Sequence, residues 1–207
     1  MLVPSWLTFI SLLFLSFALK KLLSLMPHSN IITGESENEI WKAINQQLRS
    51  KKDKKDYTAQ FSANEYSVTL DIDIDPERSS EAGNPMTSFS STLPESMGFR
   101  FKISKQNMKH NIGKLFGLQD VVVGHSDFDR HFLIQSNDET KIKKLLSDDE
   151  TRAGLLKHPV VDFETREHKI GAYNETVLVL DVDKVITETG ELEEIYQPFK
   201  IILIQLD

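Results

Sequence analysis

The chain has 207 residues, of which 40% are hydrophobic and 27% charged, and this composition excludes a collagen-like or wholly disordered protein. It contains no cysteine, which excludes disulfides, cysteine-ligated zinc, iron–sulfur clusters and a thiol nucleophile. The net charge of −7 argues against a protein built to bind nucleic-acid phosphates, so we expect no nucleic-acid partner.

The N-terminal segment Leu2–Leu19 is uncharged and mostly apolar, with Trp6 near one end. As a helix it would span about 27 Å, close to the roughly 30 Å thickness of the hydrocarbon core of a bilayer. An indole side chain also prefers the membrane interface. We therefore predict that residues 1–26 form a single-pass membrane anchor and that the chain contacts the membrane through residues 2–19.

The charges beside this segment predict its orientation. Lys20 and Lys21 follow it directly, and no basic side chain precedes it. The positive-inside rule then places the C-terminal domain in the cytoplasm. A cleaved signal peptide, which would leave a secreted or periplasmic protein, and a buried core helix are the alternatives. The segment lacks the basic start and small-residue cleavage pattern of signal peptides.

After a short linker, residues 27–36, a single domain is expected over residues 37–207. Ser36 and Glu39 have the spacing of a capping box, which predicts a helix from this point. The apolar stripe of that helix consists of Ile40, Trp41, Ile44 and Leu48. A strand is expected at Tyr57–Ser62.

Alternation of apolar and polar residues predicts two further strands, because every second side chain of a strand faces the same side. Their apolar positions are Val68, Leu70, Ile72 and Ile74, and then Phe99, Phe101 and Ile103. Helical spacing predicts an amphipathic helix before Gly117. Its apolar positions are Met108, Ile112, Leu115 and Phe116.

The next stretch predicts two short strands, Val121–Val123 and Phe128–Gln135. Two short helices should follow, because Ser136–Glu139 and Ser147–Glu150 each have the Ser-x-x-Glu form of a capping box. Adjacent alternating strands favour antiparallel pairing.

The C-terminal part predicts strands at Val160–Lys169 and Thr176–Val182, and then a helix from about Gly190. Pro198 is expected to kink or split that helix. Strands in neighbouring pairs, together with amphipathic helices, indicate an α+β fold with a mainly antiparallel sheet packed by helices.

His125, Asp127, Asp129 and His131 recur at every second position and are the weak metal-site candidates of the chain. On a strand they would share one face, and histidine with carboxylate suits zinc or manganese. Neighbours on one strand face lie about 6.6 Å apart, which strains a shared ion. The alternative is a polar strand face. Phosphate-loop, zinc-protease, serine-hydrolase and dinucleotide motifs are absent from the sequence, so we predict no cofactor and assign no catalytic residue.

The run from Phe128 to Glu139 has the form FD-x-x-F-x-I-x-S-x-D-E, and Leu145-Leu146-Ser147 and Leu155-Leu156 follow. Over residues 127–206 this pattern resembles an uncharacterised bacterial family of membrane-associated domains. The resemblance implies a Phe-Asp strand, two short helices, two strands and a closing helix. It also implies transmembrane helices near the N-terminus, and it implies no activity or catalytic residue.

These observations favour a membrane-anchored α+β protein that acts by binding or scaffolding a protein partner and performs no catalysis. One alternative is a metal-dependent hydrolase that uses the 125–131 cluster. The other is a secreted or periplasmic domain released from a signal peptide.

Overall fold

The computed structural model describes residues 30–50, 56–63, 65–73, 86–94, 98–106, 117–158, 160–170 and 173–206. Within these ranges the chain forms nine strands and five helices. The strands are β1 (Asn30–Ile32), β2 (Asp56–Ala63), β3 (Tyr66–Asp73), β4 (Thr87–Leu93), β5 (Phe101–Lys105), β6 (Gln119–Asp120), β7 (Phe132–Ser136), β8 (Val160–Ile170) and β9 (Tyr173–Val182). The helices are α1 (Glu37–Ser50), α2 (Ser126–His131), α3 (Glu139–Leu145), α4 (Asp149–Lys157) and α5 (Thr189–Gln205).

The strands form one sheet in the order β1-β2-β3-β4-β9-β8-β5-β7-β6. Between β2 and β6, each neighbouring pair is antiparallel. The expected α+β fold with a mostly antiparallel, helix-packed sheet is therefore confirmed.

One face of the sheet is apolar and packs against the helices. A row of buried register partners crosses seven strands, and it consists of Ala59, Leu70, Phe89, Leu180, Phe163, Ile103 and Ile134. Helix α1 contacts β2, and α5 contacts both α1 and β4. The Trp41 ring of α1 lies 5.5 Å from the Tyr196 ring of α5, between ring centroids. The helices and this face therefore form one core.

The opposite face of the sheet is mostly polar. The adjacent row of register partners consists of Gln60, Thr69, Ser90, Val179, Glu164, Lys102 and Gln135. The alternation predicted for β3 is confirmed, since Val68, Leu70 and Ile72 are buried. The stripe of α1 is also buried, and the Ser36 hydroxyl accepts from the Glu39 N–H at 3.4 Å, as the capping box predicts.

The strand predicted over Phe128–Gln135 is wrong in its first half, because Ser126–His131 is helix α2. Phe128 and Phe132 are four residues apart, and this spacing also suits one face of a helix. Their ring centroids lie 4.9 Å apart. The strand predicted at Val121–Val123 is displaced to Gln119–Asp120.

The two predicted serine caps are also wrong. Asp138 caps α3 by accepting from the Lys141 N–H at 2.9 Å, and Asp148 caps α4 by accepting from the Thr151 N–H at 2.7 Å. Ser136 instead ends β7 and is buried. Each aspartate directly precedes its helix, so its carboxylate reaches the unpaired N–H groups of the first turn.

Pro198 does not split the last helix, since α5 continues through it. Its ring is buried against Gly154 of α4, where an added Cβ would lie 3.1 Å from the proline Cγ. The missing N–H at this position is therefore compensated by close packing between α4 and α5.

Several predictions fall outside the described residues. They are the anchor over residues 1–26, the first part of the linker, the end of the third strand at Ile74, and the helix between Met108 and Phe116. Within the described ranges, no helix is both long and apolar enough to cross a membrane. The rest of the predicted linker contains β1, and the residues from Ile31 onward form one compact unit.

Candidate functional site

The metal-site candidates lie on or beside α2 and not along a strand face. Successive residues of a helix are rotated by about 100°, so positions two apart point in nearly opposite directions. Asp129 uses both carboxylate oxygens locally, accepting from the N–H groups of Val123 and Gly124 at 2.9 Å each. Asp129 therefore stabilises the loop that precedes α2.

The other three candidates are exposed and do not converge. The His131 Nδ1 lies 2.7 Å from the backbone oxygen of Asp127. The Asp127 carboxylate is 3.7 Å from Arg130 in an exposed pair, and His125 is exposed at the start of α2. In the described part of the chain, no three His, Asp or Glu side chains are placed to hold a metal ion.

An ionic network crosses the polar face of the sheet from β5 to β4. Lys102 donates to Asp162 at 2.9 Å and to Glu164 at 3.1 Å. The Arg166 guanidinium donates to Glu164 at 2.6 Å and to Asp181 at 2.5 Å. The network continues from Asp181, which accepts from the hydroxyl of Ser88 at 2.8 Å.

This network has a structural role, because each of its carboxylates has a cation beside it. Glu164 and Asp181 are buried, and a buried carboxylate requires such a partner. Burial raises the pKa of Asp162, and the hydrogen bond and charge of Lys102 oppose the rise. Sequence reasoning missed this network. Its signal was the ionisable residue at every second position of β8, namely Asp162, Glu164 and Arg166.

A second charged cluster lies where α4 meets the first turns of α5. The ring of His158 is 5% exposed, with Glu191 at 3.9 Å from Nδ1 and Glu194 at 3.6 Å from Nε2. Lys157 and Lys184 pair with these two carboxylates. Burial lowers the pKa of His158, although the carboxylates of Glu194 and Glu191 oppose the shift.

A cleft of about 630 Å³ lies between α3 and the C-terminal end of α5. Its lining residues are Asp138, Thr140, Lys141, Lys144, Leu145, Ser147 and Gln205. Lys141 and Lys144 are three residues apart on α3, and Thr140 is four before Lys144, so all three share a helix face. Leu145 is buried. The cleft thus combines cations and hydroxyls with one apolar wall and with the carboxylate of Asp138, which is engaged as the N-cap of α3.

Among the lysines of the described chain, Lys144 is one of those that no carboxylate pairs with. Four others each have a carboxylate oxygen within 2.7 Å, and they are Lys143, Lys157, Lys184 and Lys200. Lys141 lies over the Phe99 ring, with Nζ 4.8 Å from the ring centroid. The cleft therefore holds an ammonium group with no counter-ion among the described residues. We name it the Lys144 cleft.

No protein-family profile matches the chain, and no curated protein sequence matches it either. Among solved structures, the chain is similar to the mycobacterial trehalose monomycolate transport factor A, TtfA, with a TM-score of 0.45 and 9% identity. That likeness covers 81% of this chain and 94% of the TtfA chain in that structure.

Proposed function

We propose that this protein is a membrane-anchored binding module without catalytic activity, and that the Lys144 cleft holds an anionic group of its ligand. The observation that carries the proposal is the unpaired Lys144 in a cleft of about 630 Å³. That volume is in the range of ligand pockets. A carboxylate or a phosphate is the complementary group.

The cleft offers hydrogen-bond donors, and its side chains are not arranged for catalysis. The Lys144 ammonium and the Thr140 hydroxyl can donate to an anion, while Leu145 contacts an apolar part of the ligand. Ser147 already donates to a backbone carbonyl at 2.7 Å, so it is not poised as a nucleophile. This arrangement supports binding over catalysis.

The membrane part of the proposal rests on the uncharged segment Leu2–Leu19 and on Lys20 and Lys21 after it. We place the domain on the cytoplasmic face by the positive-inside rule. The resemblance of residues 127–206 to a bacterial membrane-associated family agrees with an N-terminal membrane anchor. External protease added to intact cells should leave the domain uncut, and cleavage would contradict the orientation.

The binding proposal is tested by calorimetric titration of the full-length chain in non-ionic detergent with inorganic pyrophosphate and with a tetraglutamate peptide. Lys144→Gln removes the unpaired ammonium. Lys143→Gln is the matched control, because Lys143 is the next residue but pairs with Glu139. A hydrogen bond to a charged group contributes about 1.5–3 kcal/mol, so we expect at least about tenfold weaker binding in Lys144→Gln.

The two probes separate a phosphate ligand from a carboxylate ligand. Saturable binding of either probe that depends on Lys144 and not on Lys143 supports the proposal. Absence of saturable binding, or an equal loss in both variants, contradicts it.

A further inference from the structure

The Lys144 cleft also contains a carboxylate oxygen that no group of the described chain contacts. Asp138 uses its Oδ1 to cap α3, accepting from the Lys141 N–H at 2.9 Å. Its Oδ2 has no hydrogen-bond or ion-pair partner among the described residues. Asp138 is exposed and lines the cleft. The cleft therefore holds a free carboxylate oxygen as well as the ammonium group of Lys144.

These two opposite charges do not neutralise each other. Within the described ranges, no ion pair joins Asp138 to Lys144. The two residues are six positions apart along α3, which corresponds to about 9 Å along the helix axis. That spacing is short enough for one small molecule to contact both side chains.

The C-terminal end of α5 gives the cleft a second attraction for a positive group. Gln205, the last residue of α5, lines the cleft. The C-terminal end of a helix carries a partial negative charge, which basic side chains in the last turn often offset. The last turn of α5 contains no basic residue. The cleft therefore attracts a cation through the Asp138 carboxylate and through this helix end.

We propose that the ligand of the Lys144 cleft is a small zwitterion, with an anionic group held by Lys144 and a primary ammonium group held by Asp138. This inference rests on the proposed function, because it assigns a second charge to the same ligand. A primary ammonium has three hydrogen-bond donors and no acceptor, so it complements the free Oδ2 of Asp138. A purely anionic ligand would instead bring a like charge close to Asp138.

The test compares probes that differ only by the ammonium group. The two pairs are phosphoethanolamine with ethyl phosphate, and β-alanine with propionate, so they also separate a phosphate from a carboxylate. Calorimetric titration of the full-length chain in non-ionic detergent gives each affinity. Exposed ion pairs are weak, so we expect the ammonium to tighten binding about threefold to fivefold within the pair that binds.

Asp138→Asn removes the charge and keeps the cap, because asparagine caps helices as well as aspartate does. In this variant the ammonium-bearing probe should lose its advantage. Asp148→Asn is the matched control, because Asp148 caps α4 through the same kind of bond and is not among the residues that line the cleft. It also removes one negative charge, so it accounts for a general effect of net charge on binding.

Nanodiscs distinguish a free zwitterion from the headgroup of a lipid. The full-length chain in discs of phosphatidylglycerol should bind phosphoethanolamine as it does in detergent. If phosphatidylethanolamine in the disc weakens that binding at least about threefold, the lipid headgroup occupies the cleft. Unchanged binding identifies a free solute as the ligand. Both results support a zwitterion and differ only in its source.

Two results would overturn the zwitterion and leave the proposed function intact. The first is Lys144-dependent binding in which the ammonium-free probe binds as tightly as its partner or more tightly. The second is an ammonium advantage that survives Asp138→Asn, or that Asp148→Asn removes equally. Absence of Lys144-dependent binding for these four probes, and also for pyrophosphate and tetraglutamate, would instead contradict the proposed function and the zwitterion together.

Discussion

Arg166→Met would remove the cation that joins β8 to β9 on the polar face of the sheet. In the structure, the guanidinium of Arg166 donates to Glu164 at 2.6 Å and to Asp181 at 2.5 Å. Methionine, like arginine, has a long and unbranched side chain, so it keeps most of the packing around this position. The substitution therefore tests the charge more than the packing.

The burial of the two carboxylates gives the size of the effect. The side chains of Glu164 and Asp181 are only 7% and 5% exposed. Removing one partner of a buried ion pair costs about 3–5 kcal/mol. Arg166 is 35% exposed, and Lys102 still contacts Glu164. We therefore expect the free energy of unfolding to fall by about 2–3 kcal/mol, below that range.

The assay is urea unfolding of the full-length chain in non-ionic detergent, followed by circular dichroism. Adding Asp181→Asn to Arg166→Met removes the stranded charge. The double variant should therefore be more stable than the sum of the single changes by about 1–2 kcal/mol. A loss below about 0.5 kcal/mol for Arg166→Met, or strict additivity, would refute a stabilising role for the network.

Three further predictions use the same unfolding assay. Asp148→Ala removes the N-cap of α4 and should cost about 1 kcal/mol; an unchanged midpoint would mean that Thr151 is satisfied in another way. Leu180→Ala empties a fully buried position and should cost about 2–5 kcal/mol; a smaller loss would indicate collapse of the cavity. Burial lowers the pKa of His158 below that of the unfolded chain, so the unfolded chain binds more protons as the pH falls below about 6.5. The parent should lose stability on acidification through that range, and His158→Gln should show a shallower loss.

Hydrophobic periodicity predicted the long helices and strands in which apolar residues recur at a regular spacing. The alternation in β3 and the apolar stripe of α5 are long, and their apolar positions are buried. The buried stripe of α5 contains Leu192, Ile195, Phe199, Ile202 and Leu203. The segment 126–131 is too short for its hydrophobic periodicity to distinguish a helix from a strand. Phe128 and Phe132 fit a helix and a strand equally, and the bonds from Asp129 to the preceding loop favour the helix.

The candidate site was less accessible to sequence reasoning. The spacing of His125, Asp127, Asp129 and His131 pointed to a shared face only if the segment was a strand. The Lys144 cleft depends on the end of α5 lying beside α3, and a contact between such distant segments leaves no local pattern. Lys143 and Lys144 look alike in the sequence. They differ because only Lys143 has a carboxylate one helical turn away, at Glu139.

The strand order has a consequence for how the domain forms. The β8–β9 hairpin lies between β4 and β5, so it joins the strands β1 to β4 with the strands β5, β7 and β6. During synthesis, β4 and β5, the strands that border the position of the hairpin, are complete before the hairpin emerges. Until it inserts, β4 and β5 each have an unpaired edge, the condition under which chains aggregate. The contacts that close the sheet, such as Thr87 with Val182, span almost half of the chain. Closure of the sheet should therefore be the slow, final step of folding.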